Sequence, residues 1–156
     1  MNSFLKYAQS NAPDVYSALN GKKPGSAAFD QAWRQLASSN PKKFEQVQHN
    51  FIKQSHYDPA ASKIKQSTGF DAAKSSPAIQ DVLWSTAVQH GSGGANTIFR
   101  AAGIKPGMSD REIIQRVYAE RAANNGMKYF SKSSESIRKS VVNRFKREMQ
   151  DALGRI

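Results

Sequence analysis

Apolar positions along the 156-residue chain recur at spacings of three and four. Phe29, Trp33 and Leu36 form one stripe, and Phe44, Val47, Phe51 and Ile52 the next. Ile79, Val82, Leu83 and Ala87 follow, then Ile113, Ile114, Val117 and Tyr118. Ile137, Val141, Phe145 and Met149 make a strict ladder of i, i+4 steps. This is the period of amphipathic helices that bury one face. No run alternates apolar and polar residues long enough to read as a strand. The pattern predicts an all-α fold with helices over 2–10, 13–20, 26–39, 41–57, 59–67, 77–90, 94–102, 110–124 and 134–153.

Capping residues and helix breakers mark the same boundaries. Asn40-Pro41, Asp58-Pro59 and Ser76-Pro77 each place a capping side chain before a proline, whose missing N–H costs nothing at the first helical position. Ser109 through Glu112 reads as a capping box. Gly21, Gly69, Gly91, Gly103, Gly126 and Gly154 stand where the stripes run out, as helix-terminating glycines do. The run His90–Gly94 predicts one flexible glycine-rich loop, without the spacing or the lysine of a phosphate-binding loop. Connections are short, so residues 1–156 are expected to form a single helical domain.

Charge changes the picture more than composition does. There are 23 basic and 12 acidic residues, a net charge of +11, which favours anionic partners: nucleic acid, anionic lipid or acidic wall polymers. Segment 127–156 holds 8 basic and 3 acidic residues, a net of +5, and forms the most cationic helix. Without cysteine, thiol catalysis, thiolate metal sites and disulfides are all excluded. No apolar stretch approaches the ~20 residues that cross a bilayer. The N-terminus lacks the layout of a signal peptide. Export would then require lysis, a dedicated secretion machine or fusion to an exported partner.

Candidate chemistry is sparse. Glu45, His49 and His56 share one face of the helix expected over 41–57. Neither His-Glu-x-x-His nor Glu-x-x-His occurs, so no metal site and no cofactor are expected. The histidines read either as a polar helix edge or as part of a substrate cleft. Glu45 and Asp58 lie thirteen residues apart, about 20 Å of helix. That exceeds the separation of about 5–9.5 Å that paired glycosidase carboxyls need, and Asp58 reads better as the cap before Pro59. His90 ends a predicted helix beside the glycine loop, where it either complements the helix dipole or borders a cleft. Trp33 and Trp84 sit on apolar stripes and read as core.

Two segments carry a resemblance. One runs from Phe29 and Trp33-Arg34-Gln35-Leu36-Ala37 through Phe44-Glu45 and Gln48-His49-Asn50-Phe51-Ile52 to His56-Tyr57. The other is the stretch from Ser76-Pro77 to Gln89-His90-Gly91, of which the run QDVLWSTAVQHG is the most specific part. Together they resemble a lysozyme/chitosanase-like peptidoglycan-hydrolase domain of phage tail and lysis proteins and of type VI secretion spike proteins. The resemblance implies a lysozyme-like helical fold and a glycoside hydrolase that binds and cleaves peptidoglycan glycan strands. It also implies a phage-borne or secreted location. His49, His56, Tyr57, Gln89 and His90 would line the sugar-binding cleft.

The family's catalytic glutamate and its glycine-rich, aspartate-bearing turn have no counterpart here. The chain therefore resembles the C-terminal body of such a domain, with the acid expected on an upstream domain or fragment. Glu45 is only a fallback for the catalytic acid. The rival reading is a non-enzymatic basic domain that binds nucleic acid through Arg138, Lys139, Arg144, Lys146 and Arg147.

Overall fold

The computed structural model describes all 156 residues, and every regular element in it is a helix. In chain order these are α1 (Asn2–Asn11), α2 (Pro13–Leu19), α3 (Ala27–Ser39), α4 (Pro41–Ile52), α5 (Asp58–Thr68), α6 (Pro77–Ala101), α7 (Asp110–Arg121) and α8 (Glu135–Leu153). A π-helical turn, Lys53–Tyr57, joins α4 to α5, and a short 3₁₀ turn, Ala72–Lys74, precedes α6. No helix is long and apolar enough to cross a membrane.

Side-chain caps open five of these helices by taking up a backbone N–H that has no partner within the helix. Asn40 accepts from Lys43 N at 3.2 Å, Ser76 from Ile79 N at 3.4 Å and Ser109 from Glu112 N at 3.3 Å. Ser26 and Ser134 do the same for α3 and α8. Asp58 does not cap α5, contrary to expectation. Tyr57 precedes the helix with helical dihedrals, φ −68° and ψ −57°, so the π turn runs into α5 without the extended residue a cap requires. Gly69 closes α5 in the left-handed conformation.

The contacts divide the chain into two compact units, Met1–Ser55 and His56–Ile156. In the first, α1 to α4 enclose Phe4, Ala8, Val15, Leu19, Phe29 and Phe44. Trp33 is half-buried against this core, its ring 4.8 Å from Phe44 and edge-on to it. Phe51 meets Phe4 in the same edge-to-face manner at 5.3 Å, an arrangement aromatic quadrupoles favour.

In the second unit α6 packs against α5, α7 and α8. Its stripe of Ile79, Val82, Leu83 and Ala87 is buried, as are Ile113, Ile114 and Val117 of α7. The ladder on α8 is only partly interior. Phe145 is buried and Val141 and Met149 pack half-buried on the core, but Ile137 is 53% exposed. The first turns of α8 run outside the core, where only Arg138 among residues 134–140 is shielded.

The glycine-rich run is not a loop. Ser92, Gly93 and Gly94 are helical, and the only departure is Gly91, at φ 71° and ψ 171°, where α6 kinks. Gly94 lets the two halves pack closely, since a Cβ there would sit 2.8 Å from Cβ of His90.

The kink predicts opposite outcomes at neighbouring glycines. Gly91 occupies a region open in practice only to glycine, and a Cβ would meet no atom within 4 Å. Gly91→Ala should therefore cost about 1–3 kcal/mol of backbone strain. Gly93 is helical and equally open, so Gly93→Ala should add about 0.5–1 kcal/mol. Urea unfolding of both variants checks the pair.

Candidate functional site

The second unit contains a buried guanidinium. Arg121, at the end of α7, is 0% exposed. It lies 4.0 Å from the Phe145 ring centroid and 4.9 Å from that of Tyr118. A charge this deep is tolerated only when it is hydrogen-bonded and paired. Arg121 donates to Ser85 Oγ at 3.1 Å and to Glu148 Oε2 at 3.4 Å. Ser85 in turn donates to Glu148 Oε2 at 2.8 Å, and the Tyr118 hydroxyl does so at 3.3 Å. Arg144 Nε stands 3.2 Å from the other carboxylate oxygen. Burial, reinforced by the Glu148 charge and opposed by Arg121, pushes the Tyr118 phenol up to about 12.

A hollow of about 240 Å³ opens beside this network, with Asp81, Glu148 and Asp151 on its walls. These carboxyls do not make a free acid–base pair. Both oxygens of Glu148 are committed to the contacts above, and Asp81 pairs with Arg155. Glycoside hydrolysis needs one carboxyl to protonate the leaving oxygen and a second free to attack or to activate water.

His90 is turned inward. Tyr129, Phe130 and Phe145 surround its ring at centroid distances of 5.6, 5.4 and 6.3 Å. Burial, with Arg121 and Arg144 adding their charges, lowers its pKa to about 4. At neutral pH it is therefore an uncharged imidazole, and Nε2 is buried without a hydrogen-bond partner. The helix-dipole reading of His90 does not hold, because α6 continues past it and the ring carries no charge. Gln89, the exposed neighbour, accepts a hydrogen bond from Arg144.

The other expected site residues belong to both units. Glu45 and His49 are exposed on α4, in the first unit. His56 is half-buried in the π turn, where one extra residue per turn breaks the α-helical spacing that aligned it with Glu45 and His49. Tyr57 is buried in the second unit's core, its ring 5.6 Å from Trp84. Burial raises its pKa, with the charges of Asp58, Asp81 and Asp71 adding to the effect. No group of three or more His, Asp or Glu is placed to hold a metal ion.

A second hollow in this unit, about 580 Å³, lies where the turn after α7 meets α8. Its polar lining is Asn124, Asn125, Asn143, Glu135, Arg138, Lys139 and Lys146, and Met127 and Val142 give it apolar surface. Asn124 and Asn125 are left-handed, with φ 54° and 52°, and Gly126 follows at φ 83°. Asparagine tolerates that conformation better than most residues. Gly126 presses the turn onto α8, since a Cβ there would meet Val142 Cγ2 at 3.4 Å and Arg138 Cβ at 3.5 Å. Below the turn, Lys128 and Tyr129 both donate to Glu120. Burial pushes the Glu120 carboxyl up, but those two donors and the Lys128 charge hold it below its usual range.

Sequence reasoning singled out the cations of this groove but not its asparagines. The available signal was Asn-Asn-Gly just beyond a helix. Of the basic residues read as one surface, Arg144 instead faces Gln89 and Glu148, and Arg138 donates to Ser133 O. Lys139 pairs with Glu135 at 2.8 Å.

A family profile described as "Type VI secretion system spike protein VgrG3-like, C-terminal" matches residues 1–149. The type VI secretion system spike protein VgrG3 of Vibrio cholerae serotype O1 (strain ATCC 39315 / El Tor Inaba N16961) is 34% identical over 122 residues. That match covers 76% of this chain and 12% of the spike protein's length.

Two measurements probe the buried network. Glu148→Ala leaves Arg121 without its carboxylate and should cost about 3–5 kcal/mol in denaturant unfolding. His90 has a folded pKa of about 4, below the ordinary 6.5, so the unfolded chain takes up the proton first. The stability contributed by the neutral ring is complete above pH 6.5 and is lost as pH falls toward 4. The stability gap between the native chain and His90→Gln should therefore narrow steadily over that interval.

Proposed function

The chain belongs to the VgrG3-like C-terminal family of type VI secretion spike proteins, and on that premise we propose that it engages the glycan strands of peptidoglycan as part of a lysozyme-like, wall-cleaving domain. The observation that carries this reading is the α7–α8 groove. It is open and holds amide and cationic side chains beside apolar surface. Sugars offer hydroxyls and acylamino groups to amides, and their ring faces to apolar side chains. A net charge of +11 draws the chain toward an acidic wall.

In such a domain the reaction protonates the glycosidic oxygen from one carboxyl while a second assists at the opposite face of the sugar. The contribution of this chain is to hold the strand. Of its gathered carboxyls, Glu148 is occupied by Arg121 and Arg144 and Asp81 by Arg155. His49, His56, Tyr57, Gln89 and His90 remain proposed contributors to substrate binding. Gln89 is the exposed one beside the buried network.

Purified sacculi test the proposal. The chain should sediment with them while clearing their turbidity little or not at all, because loss of a general acid alone removes about 10²–10⁴-fold in rate. Absence of binding would overturn the wall reading. Strong clearing that Glu45→Gln abolishes would place the acid on α4 and overturn the strand-holding role.

A further inference from the structure

The α7–α8 groove has a composition more specific than a generic basic surface. Lys146 is exposed and makes no hydrogen bond or ion pair. Lys139 is held by Glu135 on the same wall, and Arg138 turns one edge of its guanidinium to Ser133 O. The side chains of Asn124, Asn125 and Asn143 bond to no group of their own chain and line the same hollow. Two of them stand on consecutive left-handed residues. Such geometry persists only where its surroundings impose it, and it concentrates at ligand sites. Gly126, which follows them, lies against Val142 and Arg138 of α8.

Each part of this set selects a ligand chemistry. Three cations around one hollow match a compact anion rather than an extended row of phosphates. A nucleic-acid backbone would need cations along a track. The three amides both donate and accept, which suits acylamino and peptide groups. Met127 and Val142 supply apolar contact for a methyl group or a sugar face.

We infer that this groove is a subsite for a carboxylate carried next to amide groups on a wall glycan, as on the peptide substituents of an acylated sugar. The cations take the carboxylate and the asparagines take the amides. This rests on the wall reading proposed above. It adds that binding depends on the wall's acidic substituents and not on its sugar backbone alone.

Co-sedimentation tests the inference with four probes: untreated sacculi, sacculi whose carboxyls have been converted to amides, chitin and duplex DNA. The native chain should bind untreated sacculi about tenfold more tightly than amidated sacculi or chitin, the loss expected for one charge-assisted contact. Lys146→Gln, an exposed position that cannot compromise folding, should reproduce most of that loss on untreated sacculi. It should change nothing on amidated ones. Lys105→Gln, an equal loss of charge at an exposed lysine outside the groove, should bind as the native chain does.

Equal binding to untreated and amidated sacculi, or equal weakening by Lys105→Gln and Lys146→Gln, would overturn the groove assignment and leave the wall reading standing. Failure of the native chain to bind any sacculus would overturn both. Tighter binding to DNA than to sacculi, weakened by Lys146→Gln, would assign the groove to phosphate and overturn the inference.

Discussion

The second unit is organised around a positive charge that has no access to water. Arg121 is fully enclosed, and the three longest helices of that unit each supply something to make its burial tolerable. Ser85 comes from α6, Tyr118 shares α7 with the arginine, and Phe145 and Glu148 come from α8. A hydrophobic contact tolerates sliding by a fraction of an ångström. A buried guanidinium with directional partners does not, because each lost hydrogen bond leaves a desolvated polar group. The mutual setting of α6, α7 and α8 is therefore specified by polar geometry as well as by packing. His90 is neutral chiefly because its ring is buried, and this cation and Arg144 add to the effect.

Much of the fold was legible because it rests on local rules. The caps at Asn40, Ser76 and Ser109, the glycine closing α5 and the stripes on α6 and α7 need only the residues within a few positions to be read. What misled were features that depend on distant partners. The glycine run at 91–94 has loop composition, yet only Gly91 leaves the helical dihedrals and α6 continues beyond it. Asp58 has the composition of a cap, yet the π turn delivers a chain already helical.

The candidate site was legible in outline only. Net charge drew attention to α8, but it did not show that Arg144 is engaged by Gln89 and Glu148, 55 and 4 residues away. No local pattern reveals which cations a fold turns inward. The asparagines at 124, 125 and 143 carry no charge and follow no period, so only their convergence in space shows them. His56 illustrates a related difficulty, since one π-helical turn shifts the phase on which helical-face arguments depend.

Within each unit, helices pair chiefly with those adjacent in the chain: α1 with α2, α2 with α3 and α3 with α4 in one, and α5 with α6, α6 with α7 and α7 with α8 in the other. Few long loops must close before contacts begin to stabilise the chain, so little conformational entropy is lost before each gain. Helical domains of this kind reach their native state in microseconds to milliseconds. With no cysteine in the chain, that rate owes nothing to an oxidant or to disulfide exchange. Folding of the two units is therefore indifferent to reducing or oxidising surroundings.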